Sequence, residues 1–164
     1  MAEMFLRLQG PEGDIVGEST DRDAVKQIEV IGWDWELKSD ADFHLSAQES
    51  AKLMKPEKIN IHKGVDRASV TLVQFCTLGT LIKKATLRCR KNAGEQKFEY
   101  LVVELTDVKV ANVAWAQEEH IVKESLALEF VTVKADYRKQ DNNAGEAADG
   151  KVHFGWDFEH NVAT

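Results

Sequence analysis

The most chemically capable arrangement in this sequence is a carboxylate between two indoles, where Trp33 and Trp35 flank Asp34. Aromatic rings beside a carboxylate can bind a sugar, and paired carboxylates can hydrolyse a glycosidic bond. Nothing in the sequence, however, places a second acidic side chain beside Asp34. The pattern therefore favours Asp34 as an exposed or channel-facing strand residue over a member of a catalytic pair.

The other side chains with chemical potential are scattered along the chain. The five histidines are His44, His62, His120, His153 and His160. No histidine pair has metal-ligand spacing with a third donor close by, and Cys76 and Cys89 form no CxxC motif. Two buried free thiols are the favoured interpretation of the cysteines, although a disulfide between them stays open. A phosphate-binding glycine loop and a GxSxG elbow are both missing. We therefore expect no catalytic site, no metal and no cofactor.

The elements that must position Asp34 are strands. Residues 28–35 (IEVIGWDW) are rich in β-branched and aromatic residues, which is typical of a strand. Alternation places Trp33 and Trp35 on one face and Asp34 on the other. Because a large indole surface is costly to leave in water, we expect both tryptophans to pack inward, in the core.

One helix with clear end signals follows further along the chain. Asp66 is a good N-cap residue, and Gly79 suits the left-handed conformation that ends a helix. Leu72 and Phe75 fall on one helical face, so we expect them in the core. Leu87 belongs to the apolar face of the next strand, at residues 85–90, and is expected there too.

The opposite face of that strand is basic, with Arg88 and Arg90 alternating against the apolar positions. A local basic face on an acidic protein can serve as an electrostatic contact between subunits. A solvated strand face accounts for the same pattern equally well, and both interpretations stay open.

The whole pattern predicts one domain over residues 1–164, mainly β, with eight or nine antiparallel strands and one flanking helix in a barrel or sandwich. Residues 36–57, 117–123 and 141–150 are predicted loops, and residues 92–96 a hairpin turn. The net charge of −7 disfavours nucleic acid and anionic membranes as partners. We see neither a signal peptide nor an apolar run long enough to cross a membrane.

In order and spacing, several segments resemble the Hcp family of bacterial type VI secretion systems. The resembling segments are VGESTD (16–21), IEVIGWDW (28–35), DRASVTLVQFCTLGTLIKKATLRCRK (66–91), FEYLVVELTDVKVANV (98–113), ESLALEFVTV (124–133) and GWDFEHNVAT (155–164). No single segment is diagnostic, but six in the right order are hard to obtain by chance. The likeness is weakest over residues 38–55.

The resemblance implies a closed antiparallel β-barrel with one flanking helix. Six copies would form a ring with a wide channel, and rings would stack into a tube enclosed by contractile sheath proteins and tipped by a VgrG spike. Effector proteins would ride inside, and Asp34 would lie on the channel wall. The loop at residues 37–55 would contact the next ring. This chain has no glycine from Glu36 to Lys63, which departs from the family. The residues predicted at ring or stacking interfaces are Asp40, Asp42, His44, Glu49, Lys52, Arg88 and Arg90.

The favoured hypothesis is therefore a non-enzymatic tube subunit that is cytoplasmic before firing and then secreted without a signal peptide. Its partners would be further copies of itself, the spike, the sheath and effectors. The first alternative is a monomeric barrel that binds a small ligand, with Trp33 and Trp35 lining its interior. A weaker one is an acidic hydrolase that uses Asp34.

Overall fold

Strands make up most of the computed structural model, which describes residues 3–40, 42–52, 54–141 and 146–164. The strands are β1 (Glu3–Gly10), β2 (Gly13–Asp14), β3 (Ile28–Val30), β4 (Gly32–Asp34), β5 (Leu37–Ser39), β6 (Met54–Pro56), β7 (Ile59–Gly64), β8 (Ile82–Ala93), β9 (Gln96–Glu118), β10 (Ile121–Glu129), β11 (Thr132–Gln140), β12 (Glu146–Asp157) and β13 (Val162–Ala163). The helices are α1 (Ala47–Lys52) and α2 (Ser69–Leu78). The expectation of a mainly β protein is confirmed.

Strand β9 organises the main sheet. It is 23 residues long, and its first half pairs with β8 and β11 while its second half pairs with β10. The sequence pattern predicts two strands here, at residues 98–105 and 108–113, joined around Asp107, and that prediction is wrong. The chain passes the join at Asp107 with a φ of 53°, a conformation that aspartate tolerates better than most residues, so the strand continues beyond it.

Residues 28–34 connect the two ends of the strand order. β3 pairs with β1, β4 pairs with β7, and between them the Ile31 amide donates to the His62 carbonyl at 2.7 Å. The hydrogen-bonded order nevertheless branches, and β3 and β4 do not pair with each other, so the predicted closed barrel is not confirmed.

The core is apolar and draws on nearly every strand of the main sheet. Its fully buried side chains include Leu6, Ile28, Ile61, Leu72, Leu87, Leu126 and Val133. Leu72 and Leu87 were expected in the core and are buried there. Trp33, Trp35 and Phe75 are only partly buried and pack against its edge. These three side chains thus contact the core, as expected, but they are not fully buried in it.

Helix α2 begins three residues later than its predicted cap. The Asp66 carboxylate accepts the Ala68 amide at 3.0 Å, and the Ser69 hydroxyl accepts the Asp66 amide at 2.9 Å. Asp66 therefore caps the turn that leads into the helix. At the other end Gly79 has a φ of 64°, the left-handed conformation expected of it. Cys76 in this helix and Cys89 in β8 are both free thiols.

Three predicted loops contain more regular structure than expected. Residues 36–57 hold α1 and a small β5–β6 sheet, so the chain has a second helix. Strands β9 and β10 extend to a short turn at Glu119 and His120, which shortens the loop predicted at 117–123. Strand β12 begins at Glu146, inside the loop predicted at 141–150, and residues 142–145 of that loop lie outside the described residues. The hairpin turn after Ala93 is confirmed.

Candidate functional site

Asp34 lies in a hydrogen-bonded row that crosses three adjacent strands. Its carboxylate accepts the Asn60 amide at 2.8 Å and is 3.1 Å from His62 Nε2. His62 Nδ1 is 3.2 Å from the Ser125 hydroxyl. The register explains the row, because Asp34 pairs with Asn60 and His62 pairs with Ser125. The sequence pattern indicates Asp34 but not its three partners.

The row is open to solvent. Asp34 and His62 side chains are 64% and 47% exposed, and Ser125 is exposed as well. The Asn60 amide and then His62 hold the pKa of the Asp34 carboxyl below its usual value. The carboxylate therefore stays ionised at neutral pH. The predicted exposure of Asp34 is met in this chain.

The surroundings of the row are small or polar. Four further residues lie on the same face of β9 and β10: the exposed Asn112, Ala114 and Ala116, and the buried Ala127. Two ion pairs mark its margins, Lys58 with Glu129 at 3.5 Å and Lys123 with Glu118. We call the set Asp34, Asn60, His62 and Ser125, together with these small neighbours, the Asp34 face.

Serine, histidine and aspartate, hydrogen-bonded in this order, also make up a hydrolase triad, but a catalytic triad has further geometric requirements. A triad needs amide donors aimed at a developing oxyanion. Ser125 lies in a strand paired on both sides, with His62 and with Ala114, so the local backbone is committed to the sheet. No second carboxylate joins Asp34 in the row. Among the described residues no group of three or more acidic, histidine or cysteine side chains could hold a metal.

The two tryptophans point away from Asp34. Trp33 pairs with buried Ile61 and packs on the core. The Trp35 indole donates to the Glu57 carbonyl at 3.0 Å and meets Phe130 edge-to-face, with ring centroids 6.1 Å apart. The indoles therefore do not form an aromatic platform beside the carboxylate.

A second polar region, centred on Arg90 of β8, is largely covered. The Arg90 guanidinium is 2.8 Å from Asp21 and 3.0 Å from Glu3, lies over the Phe5 ring, and is only 4% exposed. Lys97 reaches Glu3 at 2.6 Å. The Arg90 guanidinium holds the pKa of the Asp21 carboxyl far below its usual range. We call Glu3, Asp21, Arg90 and Lys97 the Arg90 cluster.

The position of Arg90 corrects the expectation of an exposed basic strand face. Arg90 keeps the outward direction of Arg88, because β8 pairs with β1 in unbroken register, but its side chain is covered and buried. Residues 17–27 lie across this part of the sheet, where Arg88 donates to the Asp23 carbonyl and the Gln27 side chain, both at 3.0 Å. Both arginines thus have partners within their own chain.

Two apolar faces remain uncovered, near opposite ends of β9. At one end Tyr137, Val152 and Phe154 are exposed on the β11–β12 hairpin, where Tyr137 pairs with Leu101 of β9. We call these three the hairpin face. At the other end Val65, Trp115 and Val122 are exposed; we call them the mouth face. Leu101 and Trp115 are fourteen positions apart, or up to roughly 45 Å along a straight strand.

Comparison with known proteins identifies the family. A model described as "Type VI secretion system effector, Hcp" matches residues 5–137, most of the chain. The chain belongs to the Hcp family. Protein hcp1 of Pseudomonas aeruginosa is 29% identical over 162 residues, which cover 98% of this chain and 97% of the relative. The fold of this chain matches the crystal structure of Hcp1 from Salmonella typhimurium with a TM-score of 0.80, 29% identity and 99% of each chain covered. A further structure, titled as a type six secretion system protein, matches with a TM-score of 0.86 over the full length of both chains at 23% identity.

Membership in the Hcp family makes this a type VI secretion protein, secreted by that system, in a family of tube proteins not known for enzymatic activity. No helix in the described part of the chain is long and apolar enough to span a membrane. The family therefore supports the coarse expectation of a secreted, β-rich structural protein.

The residues predicted at the stacking loop lie around α1. Asp40 follows β5, Asp42 accepts the His44 amide at 3.4 Å, and Lys52 is the last residue of α1. The Glu49 carboxylate accepts both the Ser46 amide, at 2.9 Å, and the Ser46 hydroxyl, at 2.7 Å, and so forms a capping box. Sequence reasoning missed Phe43, whose side chain is 95% exposed at the start of this turn.

Proposed function

We propose that this Hcp chain is a tube subunit that forms homohexameric rings, and that the rings stack into the inner tube of a type VI secretion system. The observation that carries the proposal is the pair of unlike apolar faces at opposite ends of β9. A ring of identical subunits needs two different, complementary surfaces on each copy. Exposed aromatic and aliphatic side chains grouped in this way are typical of contacts between proteins.

In this assembly the hairpin face of one copy packs against the mouth face region of the next. The barrel closes through residues 28–34, which already connect β1 to β7. The Asp34 face then lines the channel. Small and polar side chains suit a passage for cargo, because they offer little apolar surface on which cargo could stick. Effector proteins ride in this channel.

Stacking of rings uses the segment around α1, including Asp40, Asp42, His44, Glu49 and Lys52, with the exposed Phe43 ring beside them. The assembled tube receives the VgrG spike at its tip and is enclosed by sheath proteins. The protein resides in the cytoplasm until the tube is expelled. It performs no catalysis, in keeping with the committed backbone around Ser125.

Arg88 and Arg90 contribute little to the ring contact in this proposal, because their own chain already binds them. A monomeric ligand-binding barrel finds less support. The interior is filled by almost completely buried aliphatic side chains and the buried Lys63–Glu124 ion pair, and the two indoles pack on it from the edge.

The test is the mass of the purified protein by size-exclusion chromatography with light scattering, with negative-stain images. We expect six times 18.4 kDa and ring-shaped particles. Val152→Arg places a charge in the hairpin face and should yield monomers. Val25→Arg is the matched control, because Val25 is similarly exposed, 57% against 65%, but lies in the segment over the Arg90 cluster. A monomeric wild-type protein, or equal rings from both variants, would contradict the proposed interface.

A further inference from the structure

The hydrogen bonds of the Asp34 row have only one reasonable direction. An imidazole nitrogen without a proton, 3.1 Å from the Asp34 carboxylate, would set two acceptors against each other. His62 Nε2 therefore carries the proton and donates it to Asp34. In the neutral ring Nδ1 is then an acceptor, so the Ser125 hydroxyl donates to it across 3.2 Å.

This direction decides what the row presents to a partner. The Ser125 proton, the His62 Nε2 proton and one Asn60 amide proton are all used inside the row. What remains on the outside are chiefly acceptors: the free lone pairs of the Asp34 carboxylate, the Ser125 oxygen and the Asn60 carbonyl oxygen. Two of these three groups are neutral, and the third is an anion.

Space is available above these acceptors. Gly32, two residues before Asp34 on the same face of β4, has no atom within 4 Å of a β-carbon position, and the outward residues of β9 opposite Ser125 and Lys123 are Ala114 and Ala116. A flat side chain can therefore lie on the face without a clash. The lowered pKa of Asp34 keeps the anion present at neutral pH.

We propose that the Asp34 face binds arginine side chains of the cargo protein, so that the channel selects cargo with a surface rich in arginine. The proposal rests on the proposed channel position of this face. A guanidinium carries five donors and no acceptor in one plane, which complements a face of acceptors. Lysine offers three donors around a point and matches a flat row less well. Six copies around a ring would present six such seats, and binding at several seats multiplies a weak single contact.

The probe is a fluorescein-labelled tetra-arginine peptide, titrated by anisotropy at physiological salt. We expect it to bind more tightly than tetra-lysine, and tetra-citrulline, which keeps the shape but not the charge, to bind hardly at all. Asp34→Asn should weaken tetra-arginine binding about fivefold per seat, as for an exposed ion pair. Ser125→Ala should reduce the preference for arginine over lysine while leaving the charge unchanged.

The control for non-specific attraction is Glu12→Gln, which removes one exposed carboxylate from a turn outside the Asp34 face. It should leave peptide binding unchanged, whereas equal losses in Glu12→Gln and Asp34→Asn would overturn the proposal. So would tetra-arginine binding that Asp34→Asn does not alter. A ¹⁵N spectrum that places the His62 proton on Nδ1 would also overturn it.

Failure of the ring and failure of the arginine seat can be told apart. Light scattering reports whether rings form, and the same titration can be run on the monomeric Val152→Arg variant. If rings are absent but Asp34→Asn still weakens tetra-arginine binding, the seat stands and its channel position falls. If rings form and every variant binds alike, the seat falls alone.

Discussion

The Asp34 face and the Arg90 cluster are both polar regions on the outward side of the same sheet, and they differ in what covers them. The Asp34 face is open, and its ionised group is held by neutral partners on neighbouring strands. The Arg90 cluster lies beneath residues 17–27, and its four charges are paired with one another. In the sequence both regions show the same pattern, polar residues alternating with apolar ones along a strand, so the pattern does not tell the open region from the covered one.

The difference separates a surface that can bind from one that holds the chain together. Charges in the open region keep most of their contact with water, so changing them has little effect on folding. In the Arg90 cluster, Arg90 and Asp21 have lost most of their contact with water and depend on their partners, whereas Glu3 and Lys97 are still about a third exposed. Substitutions should therefore change stability in the Arg90 cluster and binding at the Asp34 face.

The largest expected effect is that of Arg90→Met. It leaves Asp21 and Glu3 without their main cation in a largely covered site, which should lower the free energy of unfolding by about 3–5 kcal/mol. Arg7→Met is the matched control, because Arg7 pairs with Asp14 at 2.8 Å but is about half exposed. It should cost no more than about 1 kcal/mol. Urea unfolding of both variants measures the comparison, and equal losses would contradict the covered character of the cluster.

The loss of folding stability at acid pH should depend on Asp21. Because Arg90 depresses its folded-state pKa, Asp21 contributes stability above its unfolded pKa of about 4, and that stability is lost as pH falls below this value. The loss should reach about 2 kcal/mol at strongly acid pH. Asp21→Asn should be less stable at pH 7 and less sensitive to acid. The check is urea unfolding at several pH values between 7 and 2.5; an unchanged acid slope in Asp21→Asn would contradict this assignment.

The sequence predicted much of the fold because local signals were strong. Gly79 ends α2, Leu72 and Leu87 are buried, and the family resemblance is confirmed. The burial of Arg90 was not predicted because Arg90 does face outward, and alternation within a strand does not show that residues 17–27 fold over that face. The long β9 was divided because Asp107 resembles a turn residue, although its conformation is compatible with a continuing strand.

The partners of Asp34 could not be predicted for a different reason. Asn60, His62 and Ser125 come together through the pairing of β4 with β7 and of β7 with β10, over sequence separations of 26 to 63 residues. Alternation with the apolar Ile59 and Ile61 indicates that Asn60 and His62 point outward, but only the strand register makes them neighbours of Asp34. A polar residue opposite a polar residue in two paired strands would have been the signal.

A smaller effect should come from the segment that covers the cluster. A β-carbon on Gly17 would lie 2.5 Å from the Gln27 carbonyl oxygen, at the other end of the same segment, so Gly17→Ala must force the two ends of residues 17–27 apart and disturb their seat on the sheet. We expect a loss of about 1–3 kcal/mol. Gly32→Ala, at an open position of the Asp34 face, is the control and should be nearly neutral. Thermal unfolding of the two variants measures the contrast; a stable Gly17→Ala protein would show that the segment is not tightly seated.

The smallest expected effect on stability is that of Asp34→Asn. Its carboxylate is mostly exposed and its partners can turn to water, so the free energy of unfolding should change by less than about 0.5 kcal/mol. Urea unfolding at pH 7 measures it beside Arg90→Met, in the monomeric Val152→Arg background so that subunit contacts do not contribute. A loss above about 1.5 kcal/mol would mean that the Asp34 face is a structural network like the Arg90 cluster. A near-neutral result leaves the carboxylate free to act in binding, because a group that folding does not need can be matched to a partner alone.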